Sequence, residues 1–298
     1  MLAVYWAAVA ILSYHFMSHG PRHNHLNSKN LERSHIEAVL KADKGIYAAL
    51  EYFNVVMFTG VGDNYMSDVF RVDVRFTMVN KMDRVSYIVK QHIKDSGVIN
   101  GPLGNAIFKA ETHFLSDIMP MLNKELTEIN EPALRMPKQF HSVLTPGKEL
   151  IFQEDLTIPG YIMHDRQKTM DSAHTDLVVS EFARLHASSV LFFAREGVTQ
   201  ENLAEKFPIL KGNYEQFKKV LADLGTDMFS ESMETIAELT DMFPNYEYVS
   251  KYVRKALPTI THDFESVLFP TDIFAVICHG DSWNNNILFR FVFINGGR

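Results

Sequence analysis

The chain has 298 residues, of which 46% are hydrophobic and 22% charged, with a formal net charge of −7 and a pI near 6.0. That is enough apolar material for a sizeable core, and too much for wholesale disorder. The acidic balance lacks the clustered positive charge that nucleic-acid binding requires, and it weighs against a role on an anionic membrane surface.

Leu2 to Met17 is mostly apolar. It is short of the roughly 20 residues that span a bilayer, His15 interrupts it, and it has neither a basic leader nor an evident cleavage site. The expectation is an extra apolar helix, with a membrane anchor through residues 2–17 as the alternative. Ser18 to Arg33 contains Gly20 and Pro21 and reads as a polar linker. His15, His19 and His23 are spaced four apart, with His25 following, but Gly20 and Pro21 break any helix through them and no Cys or Asp joins the set. The single cysteine, Cys278, cannot build a disulfide framework, and no Asn-x-Ser/Thr sequon occurs. A reducing, cytoplasmic location is therefore expected.

Ser34 and Glu37 have capping-box spacing, and Ile36, Leu40, Ile46, Tyr47 and Leu50 follow near helical period, which predicts a helix from Ser34. The period then changes to two. Phe70, Val72, Val74 and Phe76 alternate with charged residues, and Val85, Tyr87 and Val89 alternate after a turn at Asn80 to Asp83. The two strands predict an antiparallel hairpin. Leu103 to Leu126 reads as a helix kinked or restarted at Pro120, and Ser142–Leu144 and Leu150–Gln153 read as strands. Beyond Pro159 helices are expected at Thr175–Arg195, Leu210–Leu224 and Glu231–Lys255, with a buried strand at Phe274–Cys278. A strand-rich section followed by a helix-rich one favours an α+β protein in two lobes over a doubly wound sheet.

Four patterns carry chemistry. The first is His279-Gly280-Asp281-Ser282-Trp283-Asn284-Asn285-Asn286, after the apolar Ala275–Cys278. Phosphoryl transfer to a hydroxyl needs a carboxylate to orient the nucleophile and an oxygen ligand for Mg²⁺ nearby, and Asp281 and Asn286 have the spacing of such a loop. An Asx-rich surface turn has the same composition. The chain re-enters a strand at Ile287-Leu288-Phe289, so the polar run is nevertheless held between two rigid elements, and His279 and Trp283 are costly residues for a plain turn. The second is Gly60-Val61-Gly62-Asp63-Asn64-Tyr65-Met66-Ser67, ahead of the first strand. Its glycines let backbone N–H groups approach phosphates, and Asn64 or Ser67 could cap them; an ordinary loop is the alternative.

The third is Lys90, ending the second strand, with Glu111, set on an apolar helix stripe between Ile107 and Phe114. A carboxylate there needs a partner, and a lysine on the neighbouring strand would hold nucleotide phosphates; a structural ion pair or two solvated charges are the alternatives. The fourth is Glu149 to Leu156, an apolar strand followed by acids. Glu154, in this stretch, completes the candidate cofactor-binding set. Pairing Cys278 with His279 as a hydrolase nucleophile and base is excluded, because adjacent strand residues point to opposite faces.

Together GVGDNYMSDVFRVDV, SYIVK, IFKAETHF, LIFQEDL, EFARLHASS and HGDSWNNNILF resemble the ecdysteroid kinase-like (CHK kinase-like) family, relatives of choline kinases and aminoglycoside phosphotransferases. The likeness spans roughly Asn54 to Phe289, and HGDSWNNNILF, close to the family's HGD-x-W-x-x-N-x-x-F, is its most specific part. The resemblance implies a bilobal protein-kinase-like fold, with a small β-rich lobe over residues 34–156 and a partial helical lobe over 157–298. It also implies ATP and Mg²⁺ as cofactors and a small lipophilic alcohol, such as an ecdysteroid, as acceptor. Asp281 would be the catalytic base, Asn286 a metal ligand, Lys90 the phosphate-binding lysine held by Glu111, and Glu149 to Leu156 the hinge that contacts adenine. His186, in EFARLHASS, is expected to be structural. The family pattern continues with a strand ending in Asp-Phe-Gln, whose Asp holds metal. Here only Ile287 to Arg298 follow Asn286, with no acid among them. The expectation is an incomplete helical lobe and impaired activity, with a non-catalytic pseudokinase or ligand-binding protein as the alternative.

Overall fold

The computed structural model describes residues 31–58, 67–92, 102–165, 168–199, 201–208, 228–260, 262–263, 276–279, 282 and 284–291. The apolar segment 2–17, most of the linker, the expected helix Leu210–Leu224 and the start of the expected strand Phe274–Cys278 lie outside them. Two compact units are distinguished, one within Gly20–Ser188 and Ser282–Arg298, the other within Ser189–Asp281.

The first unit begins with helix α1, Arg33–Lys44. Its capping box is formed by Glu32 and His35, not by Ser34 and Glu37: the Glu32 N–H donates to His35 Nδ1 at 3.2 Å, while Glu37 pairs with Arg33 at 3.0 Å. The helix stops at Gly45, whose φ of 95° suits a residue without Cβ. Ile46 and Tyr47, expected on the apolar helix face, are therefore exposed, and Leu50 belongs to strand β1, Ala49–Met57. This strand escaped the sequence reading because it is an edge strand with few buried positions, and an irregularity between Leu50 and Tyr52 breaks its alternation.

Strands β2, Ser67–Met78, and β3, Lys81–His92, form the predicted hairpin. Its turn is tighter than expected: Val79 and Asn80 alone close it, both at positive φ, as a two-residue hairpin loop demands. Helix α2, Pro102–His113, runs into a π-helical turn, Phe114–Ile118, and then into α3, Met119–Glu128. The irregular turn lies just before Pro120, whose missing N–H and bulky ring disfavour a regular ladder there. Strands β4, Gln139–Val143, and β5, Leu150–Glu154, complete an antiparallel sheet of order β1-β2-β3-β5-β4.

The alternation in β2, β3 and β5 gives this sheet two different faces. Phe70, Val72, Val74, Phe76, Tyr87, Val89, Leu150 and Phe152 form one core with Ile36, Val39 and Leu40 of α1. Two polar contacts fasten α1 to the sheet: Tyr87 Oη donates to Asp43 Oδ2 at 2.9 Å, and Arg33 Nη2 donates to the Leu50 carbonyl at 2.6 Å. Burial and the Asp43 carboxylate both raise the Tyr87 pKa, so the phenol stays a donor. The other face carries Arg71, Asp73, Ser86, Lys90 and Gln153 at the alternate positions.

Strand β6, Tyr161–Met163, pairs antiparallel with β7, Leu288–Arg290, in a second, two-stranded sheet. β7 falls where the sequence predicts it. β6 is too short to show a period. Helix α4, Ser172–Arg195, starts three residues before the expected Thr175, ends at the expected Arg195 and stops ahead of Gly197, whose φ is 56°. By length and composition α4 could cross a membrane, and it is the one such helix among the described residues, which is weak evidence for a span.

In the second unit a short helix, α5, covers Leu203–Lys206. The long helix predicted over Glu231–Lys255 is instead a hairpin of α6, Met228–Asp241, and α7, Glu247–Ala256. Pro244 and Asn245, the latter at φ 72°, make the break between them. Arg254 of α7 clamps the pair by reaching Glu234 at 3.2 Å and Asp241 at 2.7 Å.

Candidate functional site

The clearest functional geometry lies on the polar face of the larger sheet, where α2 docks against β3 and β5. Lys90 Nζ meets Glu111 Oε1 at 2.5 Å. Gln153 Nε2 donates to the same oxygen at 2.9 Å. Lys90 pairs in register with Ile151, so Gln153, two residues further along β5, lies on the same face. The Lys90 side chain remains 30% exposed and that of Glu111 17% exposed. The carboxylate thus fixes the ammonium at the surface of the sheet without burying it. A lysine has three N–H donors, and Glu111 occupies one. What remains is a positioned cation suited to an anionic group such as a phosphate oxygen.

The sequence also explains why α2 can come this close. A Cβ on Gly104 would strike the imidazole of His92, which lies two residues beyond Lys90 on the same face of β3. The His92 ring also packs edge-on against Phe108, with centroids 5.8 Å apart. Asn105 Nδ2 donates to Glu149 Oε1 at 2.8 Å, and Glu149 Oε2 lies 3.5 Å from His92 Nδ1. Burial lowers the His92 pKa, against the opposing pull of the Glu149 carboxylate, so the ring is held neutral.

The remaining candidates are distributed unevenly. Ser67 is the first residue of β2, opposite His92. Glu154 pairs with Tyr87, on the face opposite Lys90. Its N–H donates to the Lys138 carbonyl at 2.8 Å, and its carboxylate accepts the Lys138 N–H at 3.3 Å. Its side chain is thus turned away from the Lys90–Glu111 pair. Gly60, Gly62, Asn64 and Asp281 lie outside the described residues. Asn286 is exposed and ends the 3₁₀ turn Asn284–Asn286, one residue before β7. Its amide oxygen is the hard type of donor that Mg²⁺ accepts. No cluster of three or more His, Cys, Asp or Glu able to hold a metal occurs among the described residues.

Ahead of the Asp281 loop, the described residues Val276–His279 belong to no strand, although Val276 and Ile277 are buried as expected. Ile277 N–H donates to Ser189 Oγ of α4 at 3.0 Å. A side chain thus takes the place of a ladder partner, and the second serine of HASS acquires a specific task. Burial raises the pKa of the Cys278 thiol, which keeps it protonated and inert. Burial lowers the pKa of His186, which is partly buried within α4. Gln153 and Ser189 are the contributors that sequence reasoning missed. The available signals were a polar residue inside the apolar run LIFQ, and small residues on a long helix.

A model of the ecdysteroid kinase-like family matches residues 61–292. No curated protein and no solved structure matches the chain. The family match covers β2, β3 and α2, and hence Lys90 and Glu111, and extends past Asn286 and β7. The chain belongs to the ecdysteroid kinase-like family.

Proposed function

We propose that this kinase-like phosphotransferase binds ATP with Mg²⁺ and directs phosphoryl transfer to a hydroxyl of a small lipophilic molecule of the ecdysteroid class. The observation carrying this reading is the 2.5 Å contact between Lys90 and Glu111, which holds a part-exposed ammonium in place beside β5. In this reading Lys90 would hold the α- and β-phosphates, and the glycines of Gly60 to Ser67 would let backbone N–H groups donate to them. Asp281 would orient the acceptor hydroxyl and take its proton as that oxygen bonds to the γ-phosphorus and the bond to the departing ADP breaks. Asn286 supplies one oxygen to Mg²⁺, which when bound neutralises charge on the transferring group. The chain just after Glu154 meets the base. A bilobal kinase-like arrangement and a reducing, cytoplasmic setting belong to the same proposal.

The test reads nucleotide binding, to which the Lys90 ammonium contributes directly. Calorimetric titration with ATP, with and without Mg²⁺, is expected to show binding that Mg²⁺ strengthens. In Lys90→Met, affinity should fall about tenfold or more, the loss of at least one charge-assisted contact. Absent or Mg²⁺-indifferent binding would instead favour a non-catalytic ligand-binding protein.

A further inference from the structure

A second polar constellation shares the Lys90 face of the sheet. Asp155, the residue directly after β5, has a fully buried side chain. Such a carboxylate is unstable unless donors surround it. Here donors come from three separate places. Ser86 Oγ of β3 donates at 2.6 Å, and Arg71 Nε of β2 lies 3.4 Å away, held also by Asp73 at 3.0 Å. Thr157 donates twice, from its backbone N–H at 3.0 Å and from Oγ1 at 2.5 Å. One side chain therefore stitches β2 and β3 to the turn that leaves β5.

That turn, Leu156–Gly160, is the connector to β6. β6 pairs with β7, which follows the Asn286 turn. Asp155 thus fixes the piece of backbone joining the Lys90 sheet to the Asn286 sheet. Its side chain holds the Thr157 N–H, and the Ile158, Gly160 and Tyr161 N–H groups bond to the Asp155, Thr157 and Leu156 carbonyls, so the turn is held in one conformation in which the Leu156 N–H takes no part in these bonds.

We infer that Asp155 is a positioning residue for nucleotide-base recognition: through Arg71, Ser86 and Thr157 it fixes the backbone after β5 that reads the base. This inference rests on the proposed nucleotide reading. Loosening the connector blurs the choice among bases while leaving the phosphate contacts of Lys90 in place. Merely weakening the fold would lower the affinity for all nucleotides in proportion.

The experiment compares the affinity for Mg-ATP with that for Mg-UTP in the full chain, in Asp155→Asn, and in Thr157→Val and Thr157→Ser. The wild type should prefer ATP. Asp155→Asn should cut that preference about tenfold and Thr157→Val about threefold, as expected for losing several contacts or one. Thr157→Ser, which keeps the hydroxyl, should retain it. If Asp155→Asn does not fold, Thr157→Val decides the matter. An unchanged ratio in the folded variants, or a wild type that binds ATP and UTP equally, overturns the inference. A wild type that binds neither nucleotide sinks the nucleotide reading itself, and this inference with it.

Discussion

Gln153 Nε2 and Glu111 Oε1 lie 2.9 Å apart, so a neutral amide on β5 shares the carboxylate oxygen that anchors Lys90. The amide adds a donor without adding charge. It steadies the glutamate while leaving the lysine as the only cation bonded to that carboxylate among the described residues. Gln153→Leu should leave the sheet intact, because its β5 neighbours Ile151 and Phe152 are apolar and buried. It should weaken Mg-ATP binding about threefold, the loss of one hydrogen bond to a charged group that water can partly replace. Combined with Lys90→Met it should cost little further, since both act through Glu111. Calorimetry on the two single variants and the double variant measures this coupling, and full additivity would show that Gln153 acts elsewhere.

Ser189→Ala should destabilise the second unit by about 1–3 kcal/mol, because the buried Ile277 N–H loses its acceptor. Denaturant unfolding gives the size. Amide exchange at Ile277 should also quicken, whereas unchanged protection there would mean that Ser189 is replaceable by another acceptor.

Gly104→Ala tests the close approach of α2. In an ordinary helix this change stabilises. Here the added methyl group meets the His92 ring, so a loss of about 1–3 kcal/mol is expected, with weaker nucleotide binding as Glu111 shifts. A gain in melting temperature with unchanged binding would contradict the packing described.

Acid should destabilise the fold through histidines that are buried, as His92 is, or partly buried, as His141 and His186 are. His92, His141 and His186 all have pKa values lowered by burial. Below the unfolded value of about 6.5 the unfolded chain takes up protons that the folded chain refuses. The stability supplied by the neutral rings is therefore complete above about pH 6.5 and declines as the pH falls toward the folded values. His92→Asn cannot titrate, so its stability between pH 7 and pH 5 should fall less steeply than that of the wild type. Parallel slopes in urea titrations would remove His92 from this account.

The pieces legible in the sequence were those with a period. The alternation in β2 and β3 set the hairpin and put Lys90 on the face away from Phe70, Val72 and Val89, and the stripe on α2 called for a partner to Glu111. Features without a period were lost. β1 lies at an edge, β6 is three residues long, and the α6–α7 break depends on Pro244 inside a strongly helical stretch. Glu154 and Asp155 look equivalent in LIFQEDL, yet in the fold one faces Lys138 and the other is buried among Arg71, Ser86 and Thr157. Side-chain partners drawn from distant segments, such as Gln153 for Glu111 and Ser189 for Ile277, leave no local pattern.

The central claim is that Lys90 lies against nucleotide phosphates. An acyl-phosphate derivative of ATP transfers its acyl group to an amine within reach of the phosphate chain, and peptide mass spectrometry then identifies the labelled lysine. The account predicts labelling of Lys90 that excess Mg-ATP suppresses. Label confined to other lysines, or label on Lys90 that ATP does not displace, would contradict it.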